Sequence, residues 1–60
     1  MTDLEIVRLI SEGYRQKEMA AIKGCPVSSM ETTITRLRRK YGAKSMSHLV
    51  TIFWRNGWLK

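Results

Sequence analysis

Tyr14-Arg15-Gln16-Lys17-Glu18-Met19-Ala20-Ala21-Ile22-Lys23-Gly24-Cys25-Pro26-Val27-Ser28-Ser29-Met30-Glu31-Thr32-Thr33-Ile34-Thr35-Arg36-Leu37-Arg38-Arg39-Lys40-Tyr41-Gly42 is the stretch that decides the fold of this chain of 60 residues. Its second half places Met30, Ile34, Leu37 and Tyr41 at helical spacing, a single apolar stripe, and Gly42 supplies a stop. The spacing predicts a helix over about 27–41. The first half predicts a shorter helix over 16–23, with Met19, Ala20, Ile22 and the stem of Lys23 facing inward and Gly24 ending it. Where the longer helix begins is open between two readings. Pro26 fits the first turn, where its missing N–H costs nothing, while Ser28-Ser29-Met30-Glu31 reads as a capping box two residues later.

Working outward, Thr2-Asp3-Leu4-Glu5 is a capping box ahead of Ile6, Val7, Leu9 and Ile10, which share one broad face. It predicts a helix over 3–12 that Gly13 stops. On the other side, Ser45 caps a helix over 45–56, with Gly57 behind it. Leu49, Ile52 and Phe53 form its core face; Val50 and Trp54 project from a different side, and Trp58 lies just beyond. No strand-like alternation of useful length appears, so the expected class is all-α, with four helices in one domain over residues 1–60.

A chain this short buries only about 60% of the surface that its unfolded state exposes, which makes oligomerisation a natural support. One cysteine, Cys25, precludes an internal disulfide, and with one histidine, His48, it cannot build a structural zinc site. Neither a metal nor a cofactor is expected. Cys25 should tuck inward at the turn, and His48 should serve as a surface or cap residue. No apolar run approaches the roughly 18 residues of a membrane span and no signal-peptide pattern opens the chain, so a cytoplasmic protein is expected.

Eleven Lys and Arg stand against five Asp and Glu, a net charge of +6, and the excess is uneven. Residues 1–13 hold three acids (Asp3, Glu5, Glu12) and one base (Arg8). Residues 14–44 hold eight bases (Arg15, Lys17, Lys23, Arg36, Arg38, Arg39, Lys40, Lys44) and two acids (Glu18, Glu31). Such clustering points to a polyanion, nucleic acid before membrane.

A short helix, a Gly turn and a longer helix make the helix-turn-helix pattern, whose second helix enters the DNA major groove. A groove-bound helix needs short polar side chains at its centre and cations towards the phosphates. Opposite the apolar stripe lie Ser28, Thr32, Thr35, Arg36 and Arg39. Thr32 and Thr35 suit the centre, offering a hydroxyl to base edges and a methyl to thymine. Arg36 and Arg39 have the reach for guanine or for the backbone, and Arg38 and Lys40 for phosphates. Glu31 either accepts from a cytosine amino group or completes a cap. There is no nucleophile–base set, ligand cluster or phosphate-cradling Gly loop, so the chain does not read as an enzyme.

These residues resemble the LuxR-type (GerE-type) helix-turn-helix domain, in uninterrupted order over nearly the whole chain. Leu9-Ile10-Ser11-Glu12-Gly13 is similar to the end of that family's first helix, and Lys17-Glu18-Met19-Ala20 to its Lys-Glu-Ile-Ala. Ser29-Met30 stands in place of its Thr-Val, Ile34 and Leu37 at its apolar positions, and Lys40-Tyr41-Gly42 in place of Lys-Leu-Gly. Gly42-Ala43-Lys44-Ser45-Met46-Ser47-His48-Leu49-Val50 follows its Gly-Val/Ala-Lys-Asn/Ser-Arg-Thr/Ser-x-Ala-Val. Departures are a shortened Leu-Thr opening, Pro26 for a Ser cap, Thr33 for His and Arg36 for Asn.

The resemblance implies a third helix in the major groove, with base-edge contacts from Glu31, Thr32 and Thr35. It implies phosphate contacts from Lys17, Ser29, Arg36 and Lys44, to which the charge pattern adds Arg39. It also implies a homodimer through the fourth helix, which gives Val50, Trp54 and Trp58 an apolar partner. No receiver or ligand-binding domain is attached, and the apolar tail favours a free-standing regulator over an excised domain. The expected function is sequence-specific binding of double-stranded DNA in transcription regulation. The alternative is an interaction module of the same fold that binds RNA polymerase or a larger LuxR-type regulator.

Overall fold

In the computed structural model, which describes residues 2–59, the chain forms α1 (Asp3–Ser11), α2 (Gln16–Lys23), α3 (Val27–Tyr41) and α4 (Met46–Arg55). No strand occurs among the described residues, and the class is all-α. Glu12 and Asn56, expected inside helices, are the caps that follow them, and Ser45 is the cap of α4 as expected.

Local chemistry sets each start. The Thr2 hydroxyl accepts from the Glu5 N–H at 3.3 Å, and the Glu5 carboxylate accepts from the Thr2 N–H at 3.3 Å, the expected capping box. At α4 the Ser45 hydroxyl accepts from the His48 N–H at 3.0 Å, while His48 Nδ1 accepts from the Lys44 N–H at 2.9 Å. An imidazole at the third helical position thus accepts from the N–H one residue before the cap, where at α1 a glutamate accepts from the cap's own N–H. Glu18 accepts from the Arg15 N–H at 3.1 Å. Like Arg15 at α2, the cap of α3 makes no side-chain cap bond: Pro26, extended at φ −63° and ψ 150°, precedes Val27. The Ser28–Glu31 capping box does not form, because Ser28 is already one residue inside the helix.

Glycine sets the ends. Gly24 sits at φ +76°, its N–H donating to the Ala21 carbonyl at 3.2 Å while the Cys25 N–H donates to Ala20 at 3.0 Å. That two-bond closure needs the left-handed conformation that costs a glycine least. The closure recurs after α4, where the Gly57 N–H donates to Trp54 at 3.1 Å and the Trp58 N–H to Phe53 at 3.0 Å.

One core joins all four helices: Ile6 and Val7 from α1, Met19 and Ala20 from α2, Met30, Ile34 and Leu37 from α3, Leu49 and Phe53 from α4, with Leu59 behind them. α3 is central, packing on both α2 and α4, while α1 packs on α4. Two side chains expected to face inward do not. Ile22 is 54% exposed. At about 100° per residue, the buried arc of α2 is centred between Met19 and Ala20, and Ile22 falls roughly 110° from that centre. Lys23, the last residue of α2, is exposed although it lies within about 10° of that centre. Leu59, by contrast, is buried, its N–H donating to the Phe53 carbonyl at 3.3 Å as the tail folds back past Gly57.

The start of α1 is tied to the end of α3. Asp3 pairs with the Lys40 ammonium at 3.0 Å and accepts from the Tyr41 hydroxyl at 3.0 Å. The Lys40 bond, then the Tyr41 bond, holds the Asp3 carboxyl below its ordinary value. Burial, then the bond to Asp3, pushes the Tyr41 phenol up. Because the carboxyl is depressed, the tie stabilises the fold above the ordinary carboxyl value of 3.8 and is lost as pH falls through the lower folded value. Asp3→Asn should therefore melt below the wild type at neutral pH, and the gap should close in acid; a gap that is independent of pH would mean that the carboxylate charge contributes nothing.

Candidate nucleic-acid interface

The face of α3 that points away from the core is polar and open. Glu31, Thr32, Thr35, Arg36 and Arg39 line one groove of about 430 Å³, and all five are exposed. This set contains every side chain expected at base edges, together with two of the five that the resemblance and the charge pattern assign to phosphates. The other three lie outside the groove. Ser29 is exposed in the first turn of α3, Lys17 is exposed on α2, and Lys44 is exposed in the α3–α4 connection.

Lys40–Asp3 is the one ion pair among the described residues, so Arg36, Arg39 and Lys17 carry charges that no carboxylate there neutralises. Glu31 is equally unpaired, beside cations on the same groove. The hydroxyls of α3 are not equivalent. Thr32 Oγ1 donates to the Ser28 carbonyl at 3.1 Å, and Thr33 Oγ1 to the Ser29 carbonyl at 2.9 Å. The Thr35 hydroxyl has no partner among the described residues.

Two cations expected at phosphates are used inside the fold instead. Arg38, half-buried, donates to the Lys44 carbonyl at 2.6 Å, and its Nε is buried without a partner. Lys40 is held by Asp3. Both lie about 80° from the apolar stripe, one on each flank, where a long side chain falls onto the neighbouring segment. Arg36 and Arg39 lie about 130° and 170° from the stripe and have nothing to fall onto. Angular position, not charge, separates the two pairs.

On α4, Trp54 is 55% exposed and stands clear of the core. Val50, expected on that same free side, is half-buried and packs on the core cluster. Trp58 is 47% exposed, yet its ring meets Phe53 edge-on at 5.1 Å and Tyr41 at 5.8 Å. The cause is local: Trp58 follows the helix-ending glycine, where an apolar side chain contacts the last turn. Cys25 is half-buried against the core, and His48 is a cap residue.

No protein-family model matches the chain, and no curated protein or solved structure matches it.

The two arginines 38 and 39 give a direct test of this division. Arg38→Ala should destabilise the fold by about 1 kcal/mol, discounted for partial exposure, or roughly 4–8 °C in Tm for a domain of this size. Arg39→Ala should leave Tm within about 2 °C of the wild type, the range of a surface substitution. Thermal melts followed by far-UV circular dichroism distinguish them, and equal losses would break the assignment.

Proposed function

We propose that the protein is a sequence-specific DNA-binding regulator of transcription, with a LuxR-type helix-turn-helix in which α3 lies in the major groove. The observation that carries this reading is the outward face of α3. Short polar side chains at its centre, Thr32 and Thr35, are bordered by the unpaired cations Arg36 and Arg39 in one open groove. That is the combination a major-groove helix requires: small groups for base edges and cations for the backbone. Lys17, Ser29 and Lys44 extend the phosphate contacts beyond the groove, and Glu31 selects a cytosine amino group at its edge. The role is binding, not catalysis. No helix among the described residues is long and apolar enough to cross a membrane.

Dimerisation completes the reading. The exposed Trp54 ring is the centre of the contact, with Val50 and Trp58 at its border, and two α3 helices then address half-sites about one helical turn apart. Trp54 also supports the second reading, a protein partner such as RNA polymerase or a larger regulator, because an exposed Trp suits a hot spot on either kind of interface.

Selection from random duplex at near-physiological salt decides between the readings: an enriched motif supports DNA recognition, and sequence-blind retention or none supports the protein partner. On an enriched site, Arg36→Ala should weaken binding to all sequences and reduce the salt slope by about 1. Trp54→Asp should convert a dimeric mass in solution into a monomeric one and cost affinity for the paired site. A wild type that is monomeric at high micromolar concentration removes the dimer.

A further inference from the structure

Thr32 and Thr35 are the same residue type on the same groove, yet the fold equips them differently. The Thr32 hydroxyl spends its only proton on the Ser28 carbonyl, 3.1 Å away, within its own helix. A threonine hydroxyl has one donor and two acceptor lone pairs, so Thr32 retains acceptor capacity and a methyl group but no free donor. The same bond selects one of the two χ1 rotamers open to threonine in a helix, which fixes where that methyl stands. Thr35 makes no such bond among the described residues and keeps its donor.

Base edges in the major groove differ in the same terms. Guanine offers two acceptors, N7 and O6; adenine offers an acceptor and an amino donor; thymine offers an acceptor and a 5-methyl group. A side chain without a free donor gains nothing from guanine unless its intrahelical bond breaks first. Its fixed methyl gains from an apolar neighbour. We propose that Thr32 is a specificity-determining residue that reads the 5-methyl group of thymine, while Thr35 donates to a purine N7 or guanine O6. The proposal rests on the DNA-binding reading of α3 and adds which base chemistry each position selects. Glu31 borders the same groove, and its carboxylate, an acceptor only, covers the amino group of cytosine.

The test uses the full chain and the duplex enriched from a random pool, with each thymine replaced in turn by deoxyuridine, which removes the 5-methyl group alone. Wild type should lose about fourfold in affinity at one thymine per half-site, the equivalent of ~0.8 kcal/mol for one buried methyl-sized group. Thr32→Val keeps both branches of the side chain and should preserve that discrimination. Thr32→Ser keeps the hydroxyl and removes the methyl, and should bind the thymine and deoxyuridine duplexes equally. Thr35→Val should weaken binding about tenfold, the scale of one lost base-edge hydrogen bond, while Thr35→Ser should not. Both positions are on the exposed face, and unchanged melting temperatures of the four variants confirm that folding is not being read. A flat deoxyuridine scan overturns the proposal, as does discrimination that Thr32→Ser retains or Thr32→Val loses. A pool that enriches no sequence overturns the DNA-binding reading itself, and the two failures are therefore distinct.

Discussion

The burial of Met30, Ile34 and Leu37 along one side of α3 is the constraint from which the rest follows. α3 contacts both α2 and α4, so its apolar stripe fixes its rotation about its own axis on two sides at once. Once that rotation is set, every other α3 side chain has a fixed angle from the core. Ser28, Thr32, Thr35, Arg36 and Arg39 fall in the arc opposite the stripe, and Arg38 and Lys40 fall on its flanks. A one-residue shift would turn the helix by about 100° and place Arg38 where Leu37 now packs. The groove on α3 is thus a consequence of core packing: no polar interaction is needed to orient it.

The flank positions then do structural work that a small core cannot do alone. Arg38 draws the α3–α4 connection onto α3 through the Lys44 carbonyl, on the same segment where Lys44 and His48 form the α4 start. On the other flank Lys40 and Tyr41 close on Asp3, so the chain's first helix is held against the end of its third. Tyr41 also meets Phe53 edge-on at 5.0 Å, which links this polar tie to the aromatic group behind α4. Around a core that buries only about 60% of the unfolded surface, such ties determine whether the helix ends stay docked.

Much of this was legible in the sequence because the responsible physics is local. The capping box at Thr2, the cap at Ser45, helix-ending glycines, and a clean period in α3 locate elements without any knowledge of neighbours. The outward face of α3 was legible for the same reason, since it is the complement of the stripe. What sequence hid is what depends on a second element. Arg38 and Lys40 read as free cations until the positions of Lys44 and Asp3 are known. Ile22 reads as core until Met19 and Ala20 turn out to define a narrower arc. Val50 reads as surplus on α4 until α4 is rotated against the core. Trp58 is a partial exception: its place after Gly57 signalled a contact with Phe53, and the end-of-helix closure could have been applied there. The capping box at Ser28–Glu31 failed because Pro26 sets an extended entry one residue before the helix, leaving Ser28 inside.

Basic clustering near the end of α3 has a reason independent of any ligand, which changes how the charge of +6 should be weighed. Arg38, Arg39 and Lys40 occupy the last turn, where cations interact favourably with the helix dipole. Two of those three are also engaged by Lys44 and Asp3. Their presence would be explained in a protein that never meets a polyanion. Arg36 lies before the last turn and pairs with no acid among the described residues, so neither the dipole nor the fold accounts for it. The threonines beside it gain little from helix propensity, because β-branched residues lose χ1 freedom in a helix. A sequence optimised for stability alone would place alanine or glutamate there. The residues of that face that the fold does not explain are thus Glu31, Thr32, Thr35 and Arg36. They share one groove, and the proposed function rests on them, not on net charge.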